Sequence, residues 1–408
     1  MRRWPMILVM GMMFFQSMKG QAQWGASFTA WTVFDGNAFR NYEQLSDRVV
    51  QPEATLFYDL VSDPSRMRFW YEGSLVLFDE YQARQFHSHR AGLTARHDLG
   101  KIGSMLSWGL QGGRRFNRTE HSYYDYRNAT GYLQLRIDGG RWGIWQAGIR
   151  GRYQEYTELP EFSFREADGF LKANFSLPTR TTLIGRFEAG IKDFVQGEIS
   201  EELIQETVPL PGNGNGRGNG KGNAGGLDDG GGQTVTQVVL VESPRAAIFR
   251  WIGSVRLAQS LGSKTGLAVE GILQRVPEEG GRVLSGQDSG YETDDDLFDD
   301  PYSYESETLL VELTRMLPLG FEFKAGHELH EKHYHRIAND LNGEAVDGSR
   351  REDSQSRFWA SLRKPFPARG LFQSIQLSLN YSYIRNDSND AYFHYDGHSG
   401  SVGFQFSL

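Results

Sequence analysis

Apolar and polar residues alternate with a period of two through most of the chain beyond residue 24. In 374–383, Ile375, Leu377, Leu379, Tyr381 and Tyr383 alternate with Ser374, Gln376, Ser378, Asn380 and Ser382. The last residues repeat the pattern, with Val402, Phe404, Phe406 and Leu408 against Ser401, Gly403, Gln405 and Ser407. In a strand this spacing gives one apolar and one wet face. Leu133, Leu135 and Ile137 likewise oppose Gln134 and Arg136. Trp145, Ala147, Ile149 and Tyr153 oppose Gln146, Arg150, Arg152 and Gln154. No helical period competes with it. The pattern predicts strands at 24–34, 52–61, 67–78, 87–98, 104–115, 126–138, 142–156, 166–177, 181–194, 245–259, 265–276, 305–316, 321–333, 355–364, 373–386 and 393–408, sixteen in all.

The connections alternate in length. Short turns built on Gly, Pro and Asp fall at 62–65, 99–102, 138–141, 178–180, 261–264, 317–320 and 365–370. Between them lie longer polar connections near 35–51, 79–86, 116–125, 157–165, 195–244, 277–304, 334–354 and 387–392. An antiparallel transmembrane β-barrel has this rhythm, with short periplasmic turns and long extracellular loops. Each lipid-facing strand then satisfies its backbone in a closed ladder and turns its apolar set outward. A charge facing lipid at the midplane would cost about 2–4 kcal/mol, so the charged sets are expected to face the lumen.

Val402, Phe404, Phe406 and Leu408 resemble the C-terminal signature of Gram-negative outer-membrane β-barrels, with Leu where Phe is more usual at the last position. The resemblance implies recognition of this strand by a barrel-insertion machinery, and surroundings of outer-membrane lipid. It is to an architecture, porin-like in outline, and names no subfamily. Residues 1–22 read as a signal peptide: Arg2 and Arg3, then apolar Met6 to Phe15, then Gly20-Gln21-Ala22 as a cleavage site. About ten apolar residues are too few to span a bilayer. One domain, 23–408, is expected to follow, with no room upstream for a plug domain.

Composition narrows the partners. The chain has no Cys, which excludes disulfides, thiol chemistry and an N-terminal lipidated cysteine. A net charge of −8 argues against a nucleic-acid partner. Beyond the N-terminus no run of eighteen apolar residues occurs, which argues against helical spans.

The candidate chemistry lies on the polar faces. Basic residues there are Arg68, Arg90, Arg96, Arg115, Arg136, Arg150, Arg152, Lys172, Arg186, Arg250, Arg256, Lys324, Arg357 and Arg363. Glu72, Glu188, Glu270, Glu312, Glu322 and Glu328 share those faces. Sixteen strands enclose an aqueous channel unless something fills it. Two readings follow: a basic-lined pore favouring small polar or anionic solutes, or interior salt bridges that only support the wall. A structural or secretion-associated barrel, closed by loop 195–244 or a partner, is the rival to a pore, and a homo-oligomer or a periplasmic partner fits either. An envelope hydrolase is a lesser one, since no spacing selects a catalytic triad.

Two loops stand out. Residues 195–244 carry Gly-rich runs from Pro211 to Gly232 that have little to bury and are expected to stay disordered. They lack the Lys-Ser/Thr and following helix of a phosphate loop. Residues 277–304 carry Asp294, Asp295, Asp296, Asp299 and Asp300, read as a solvated charge run because the spacing is not that of an EF-hand. The stretch His327 to His335 splits its histidines between two strand faces and does not fit the helical zinc-protease pattern. No cofactor or metal is implied.

Overall fold

A computed structural model describes residues 21–408 except 101–102, 197, 209–232, 244–246, 278–280, 283, 285–290, 292–293 and 368–372. The strands are β1 (Gln21–Asp35), β2 (Asp47–Ser62), β3 (Ser65–Phe78), β4 (Phe86–Asp98), β5 (Met105–Asn117), β6 (Tyr126–Asp138), β7 (Ile144–Tyr156), β8 (Phe164–Ser176) and β9 (Thr181–Phe194). They continue as β10 (Glu198–Val208), β11 (Gln233–Ser243), β12 (Ala247–Ser260), β13 (Thr265–Arg275), β14 (Tyr304–Met316), β15 (Glu322–Asn339), β16 (Ala345–Phe366), β17 (Ser374–Ser388) and β18 (Tyr395–Ser407). All except β10 and β11 form one closed barrel of sixteen antiparallel strands, and β1 pairs with β18 to shut it. No helix among the described residues is long and apolar enough to cross a membrane.

The alternation fixes which wall faces lipid. Leu56, Leu110, Leu133, Ile149, Leu171, Phe187, Val255, Leu309, Phe358 and Phe404 are all exposed, and they form an apolar outer wall. A soluble protein would bury such a belt; a bilayer covers it. The chain is an outer-membrane-type β-barrel. Phe404 of β18 pairs in register with Ala30 of β1 and Leu377 of β17, so the terminal pattern belongs to the closing seam.

The inner wall uses glycine for a steric purpose. Gly25 lies directly across from Phe57, Gly326 from Trp359 and Gly403 from Trp31. A Cβ on these glycines would come within 2.2, 2.6 and 2.3 Å of the opposite ring. Each ring therefore lies flat on a bare stretch of backbone, so it covers the wall without filling the lumen. Aromatics expected at the membrane interfaces also serve inside.

Three expected connections differ. The segment 334–354 is not a loop: β15 and β16 run on to a tip at 340–344, with register shifts between His333 and Asn339. These extensions stand beyond the apolar belt, where strands keep pairing without an apolar face to reveal them. The first long connection shrinks to 36–46, because β2 begins at Asp47. Within 195–244, β10 and β11 pair with each other as a separate hairpin. The glycine-rich centre expected to be disordered lies outside the described residues, as do residues 1–20 of the expected signal peptide.

Candidate functional site

The long connections mark the outer end of the barrel, the short turns and both chain ends the inner. Segment 276–303 follows β13 at the outer end, and its described residues lie inside the barrel. Gln51 Nε2 of β2 donates to Tyr291 Oη at 2.6 Å, and Phe78 of β3 packs against the Tyr291 ring at 5.2 Å. Asp294 pairs with Arg115 of β5. Asp296 receives both terminal nitrogens of Arg152 of β7 at 2.8 Å. Lys192 Nζ of β9 donates to Asp300 at 2.7 Å. Arg250 of β12 lies over the Tyr302 ring at 4.4 Å. On β15, Lys332 Nζ and Tyr334 Oη donate to Asp299 at 2.5 and 2.6 Å. One segment can reach seven strands around a barrel only from within it.

The expectation of a solvated acidic run is therefore overturned. Each of these carboxylates meets a cation of the wall, as in Lys192–Asp300, where both side chains are fully buried. Apolar residues interleaved with the aspartates complete the packing. Leu297 and Phe298, on a single helical turn, pack with Tyr124, Tyr156 and Phe162. Tyr302 packs with Phe164, Phe194, Ile248 and Val276, and Tyr291 with Phe39, Val49, Phe78 and Phe86. Much of the outer part of the lumen is thus a packed core.

Below this core the expected lumen residues sit on the inner face, mostly as neighbours in ion pairs. Arg68 meets Asp59 at 2.6 Å, Arg96 meets Asp98 at 3.0 Å and Arg150 meets Asp168 at 2.8 Å. Arg90 pairs with Glu72, and Glu188 takes both Arg186 and Arg250. Arg256 bridges Glu270 at 3.0 Å and Glu312 at 2.9 Å, and Lys324 faces Glu322 at 3.4 Å. Arg152 adds Glu166 at 2.8 Å to its bond with Asp296. Arg136, Lys172, Arg357, Arg363 and Glu328 make no ion pair among the described residues. The interior is thus chiefly a salt-bridge network, with four of the expected cations left over among the described residues.

Space remains inside. One cavity of about 340 Å³ is lined by Arg357, Trp359, Arg363, Asn380 and Ser382. A second of about 340 Å³ is lined by Trp31, Glu53, Ser88, Arg90, Gln111 and Asn128. Within the packed third lies a neck of about 110 Å³ carrying Arg40, Lys332, Arg351, Asp295, Asp299 and Asp353. The neck shares Arg40 and Tyr291 with the first cavity, and Phe393 with an outer cavity of about 380 Å³ beside Tyr42 and Arg336. Three cavities therefore lie next to one another between rim and vestibule.

The neck's acids do not titrate alike. Burial raises the Asp295 carboxyl to about 6, helped by Asp299 and Asp296 and opposed by Arg40 and Lys332. Burial also pushes Asp299 up, but Lys332 and Arg351 outweigh it and hold this carboxyl below its ordinary range. Asp296 is lowered in the same way, Lys192 and Arg152 winning over burial. With Asp295 ionised the neck carries three cations and three anions. Below about pH 6 it carries one positive charge net.

Sequence reasoning missed Lys192, Glu166, Asp168, Lys332, Arg351 and the neck itself. Lys192 was readable, since it continues the inward series Arg186, Glu188, Gly190 of β9. The inward fold of 276–303 had a signal too: Tyr291, Leu297, Phe298 and Tyr302 are too apolar for a solvated charge run. Among the described residues no group of three metal-ligating side chains comes together. His330 lies within the lumen beside Tyr304, while His327 bonds Ser356 on the outer wall at 3.0 Å.

No family model and no curated relative matches the chain. Solved structures similar in outline include OccAB1 of Acinetobacter baumannii, at 10% identity, TM-score 0.46, covering 96% of this chain and 99% of that one. OprD of Pseudomonas aeruginosa stands at 8% identity and TM-score 0.44, covering 96% and 97%. The copper transporter OprC stands at 10% identity and TM-score 0.48, covering 95% and 81%.

Proposed function

We propose that this protein is a narrow, porin-like outer-membrane channel for passive passage of small polar solutes, with a preference for anions. The observation that carries this reading is the series of three adjacent cavities, the middle one of about 110 Å³ with charged walls. A passage through so small a space would be limited to small solutes. Arg357 and Arg363, without carboxylate partners among the described residues, give the vestibule its positive bias. Charged rings of this kind select by sign.

The packed outer third favours a second reading, a barrel that stays shut until a partner moves segment 276–303. A hydrolase has less support. The pairs Ser65–His97 (2.8 Å) and His327–Ser356 (3.0 Å) both lie on the lipid-facing wall, and neither histidine has a carboxylate partner among the described residues. Reconstitution in planar bilayers separates channel from closed barrel. The channel reading expects small discrete current steps with a reversal potential favouring anions in a salt gradient. A correctly folded but silent barrel would move the function to the partner-dependent form.

A further inference from the structure

Aromatic rings lie flat against glycines all round the inner wall. Besides Phe57, Trp31 and Trp359, Trp70 covers Gly92, Tyr132 covers Gly109 and Phe170 covers Gly148. Two of these six faces are occupied, since Arg68 lies over Phe57 at 4.0 Å and Arg186 over Phe170 at 5.1 Å. Trp31, Trp70, Tyr132 and Trp359 carry neither a cation nor a second ring among the described residues. Rings that only stiffened the wall could all be covered as Phe57 is. Two of the open faces belong to cavities. Trp359, half-buried, shares one of about 340 Å³ with Ser361, Asn380 and Ser382. Trp31 shares another of about 340 Å³ with Gln51, Gln111 and Asn128. The two chambers meet along β1, where Thr29 and Trp31 line the second and the next inward positions, Val33 and Asp35, line the first.

The polar groups around Trp359 offer both halves of a hydrogen bond. Arg357 stands across the ladder from Glu328, and Arg363 from Glu322. Neither guanidinium closes an ion pair among the described residues, and Glu322 turns to Lys324 at 3.4 Å. Donors and acceptors therefore stand open side by side, next to the amide of Asn380 and the hydroxyl of Ser382. A small inorganic anion would use the donors alone and leave the indole idle. A pyranose uses all of them. Each of its hydroxyls both donates and accepts, and its C–H face carries the partial positive charge that the face of an aromatic ring attracts. A cavity of this size, with an apolar platform and a few convergent polar groups, has the form of a small-ligand site. We propose that the Trp359 chamber binds a neutral saccharide, one pyranose ring stacked on the indole and its hydroxyls held by Arg357, Asn380 and Ser382. Trp31 offers a second platform in the adjoining chamber. The inference names a solute class for the channel and rests on the channel reading for delivery of that solute.

The test is isothermal titration calorimetry on the full chain refolded in detergent, with maltose, cellobiose and lactose as neutral probes and sorbitol as an open-chain polyol. At least one disaccharide is expected to bind, and sorbitol is expected not to. Trp359→Ala should weaken that binding roughly tenfold or more, and Trp359→Phe should keep most of it. Trp251→Ala, which removes an indole stacked on Phe187 of the lipid-facing wall, should leave it unchanged. Heat-dependent gel mobility checks that each barrel is folded. Binding of none of the three disaccharides would overturn the proposal, and so would sorbitol binding as tightly as they do. Undiminished affinity in the folded Trp359→Ala variant would also overturn it. So would displacement of the sugar by sodium acetate, which would mark a plain anion site. Calorimetry needs no current, so sugar bound by a silent barrel would sink the channel reading alone. A conducting barrel that binds no sugar would sink this proposal alone.

Discussion

The two ends of the lumen are built from the same materials and behave as opposites. At the outer end, cations of the wall meet carboxylates supplied by a different part of the chain: Arg115 meets Asp294, Lys192 meets Asp300, and Lys332 meets Asp299. At the inner end, cations meet carboxylates on the same strand or one or two strands away, as in Arg96–Asp98, Arg68–Asp59 or Arg256–Glu270. The first kind ties a segment across the pore; the second only lines the wall. Exposure follows. Arg115 and Lys192 side chains are 3% and 0% exposed, whereas Arg68 and Arg96 are 46% and 50%. Exposed pairs of that kind contribute about 0–1 kcal/mol, while breaking a buried pair costs about 3–5 kcal/mol. Charge placement relative to the strand ends, not charge content, decides which part of the barrel is plugged.

That contrast can be broken from the outer end with the largest effect. Asp294→Asn, Asp296→Asn and Asp300→Asn together strip Arg115, Arg152 and Lys192 of the carboxylates that segment 276–303 brings to them. Segment 276–303 should come away from the wall, and single-channel conductance should rise several-fold. An unchanged conductance would mean that the apolar clusters alone hold it. A smaller effect is expected from Lys192→Met, which leaves Asp300 buried without its cation. Protease added from the outer side should cut within 276–303 faster than in the wild type, and Arg68→Met should not change that rate.

At the inner end, Arg357→Glu with Arg363→Glu should move the reversal potential in a salt gradient toward cation preference and leave the step size within about a factor of two, because these side chains line a wide part of the path. The smallest effect concerns pH. Asp295 binds its proton more tightly in the docked segment than in an unfolded chain, so docking is favoured at low pH. That advantage is lost as pH rises from about 3.8 through about 6. Recordings should therefore show quieter, more anion-selective current at pH 5 and noisier current at pH 7. Asp295→Asn should make the two alike.

How much of this was legible depends on what each residue answers to. The sixteen barrel strands were readable because each must turn an apolar face to lipid every second residue, as Leu133, Leu135 and Ile137 do. The extensions of β15 and β16 past the belt were not, since there no side chain has to face lipid, and Arg351 and Asp353 are buried against each other. The polar faces of the barrel strands gave the inner wall. What they could not give was pairing across the lumen, because Asp300 and Lys192 are 108 residues apart and only the path of segment 276–303 joins them. The inner-wall glycines were illegible for a similar reason. Gly326 and Trp359 explain each other only once their strands lie side by side.

The absence of cysteine makes the central contrast directly measurable. Ser382→Cys and Ser88→Cys each place one thiol in a vestibule cavity. Thiol reagents of graded size would be added from one side of a planar bilayer at a time, and the block of current followed. The account predicts that a small charged reagent blocks from either side, and that a bulky one blocks only from the inner side because the neck excludes it from the outer. Block by the bulky reagent from the outer side would contradict the packed mouth. Failure of even the small reagent from that side would contradict a continuous path through it.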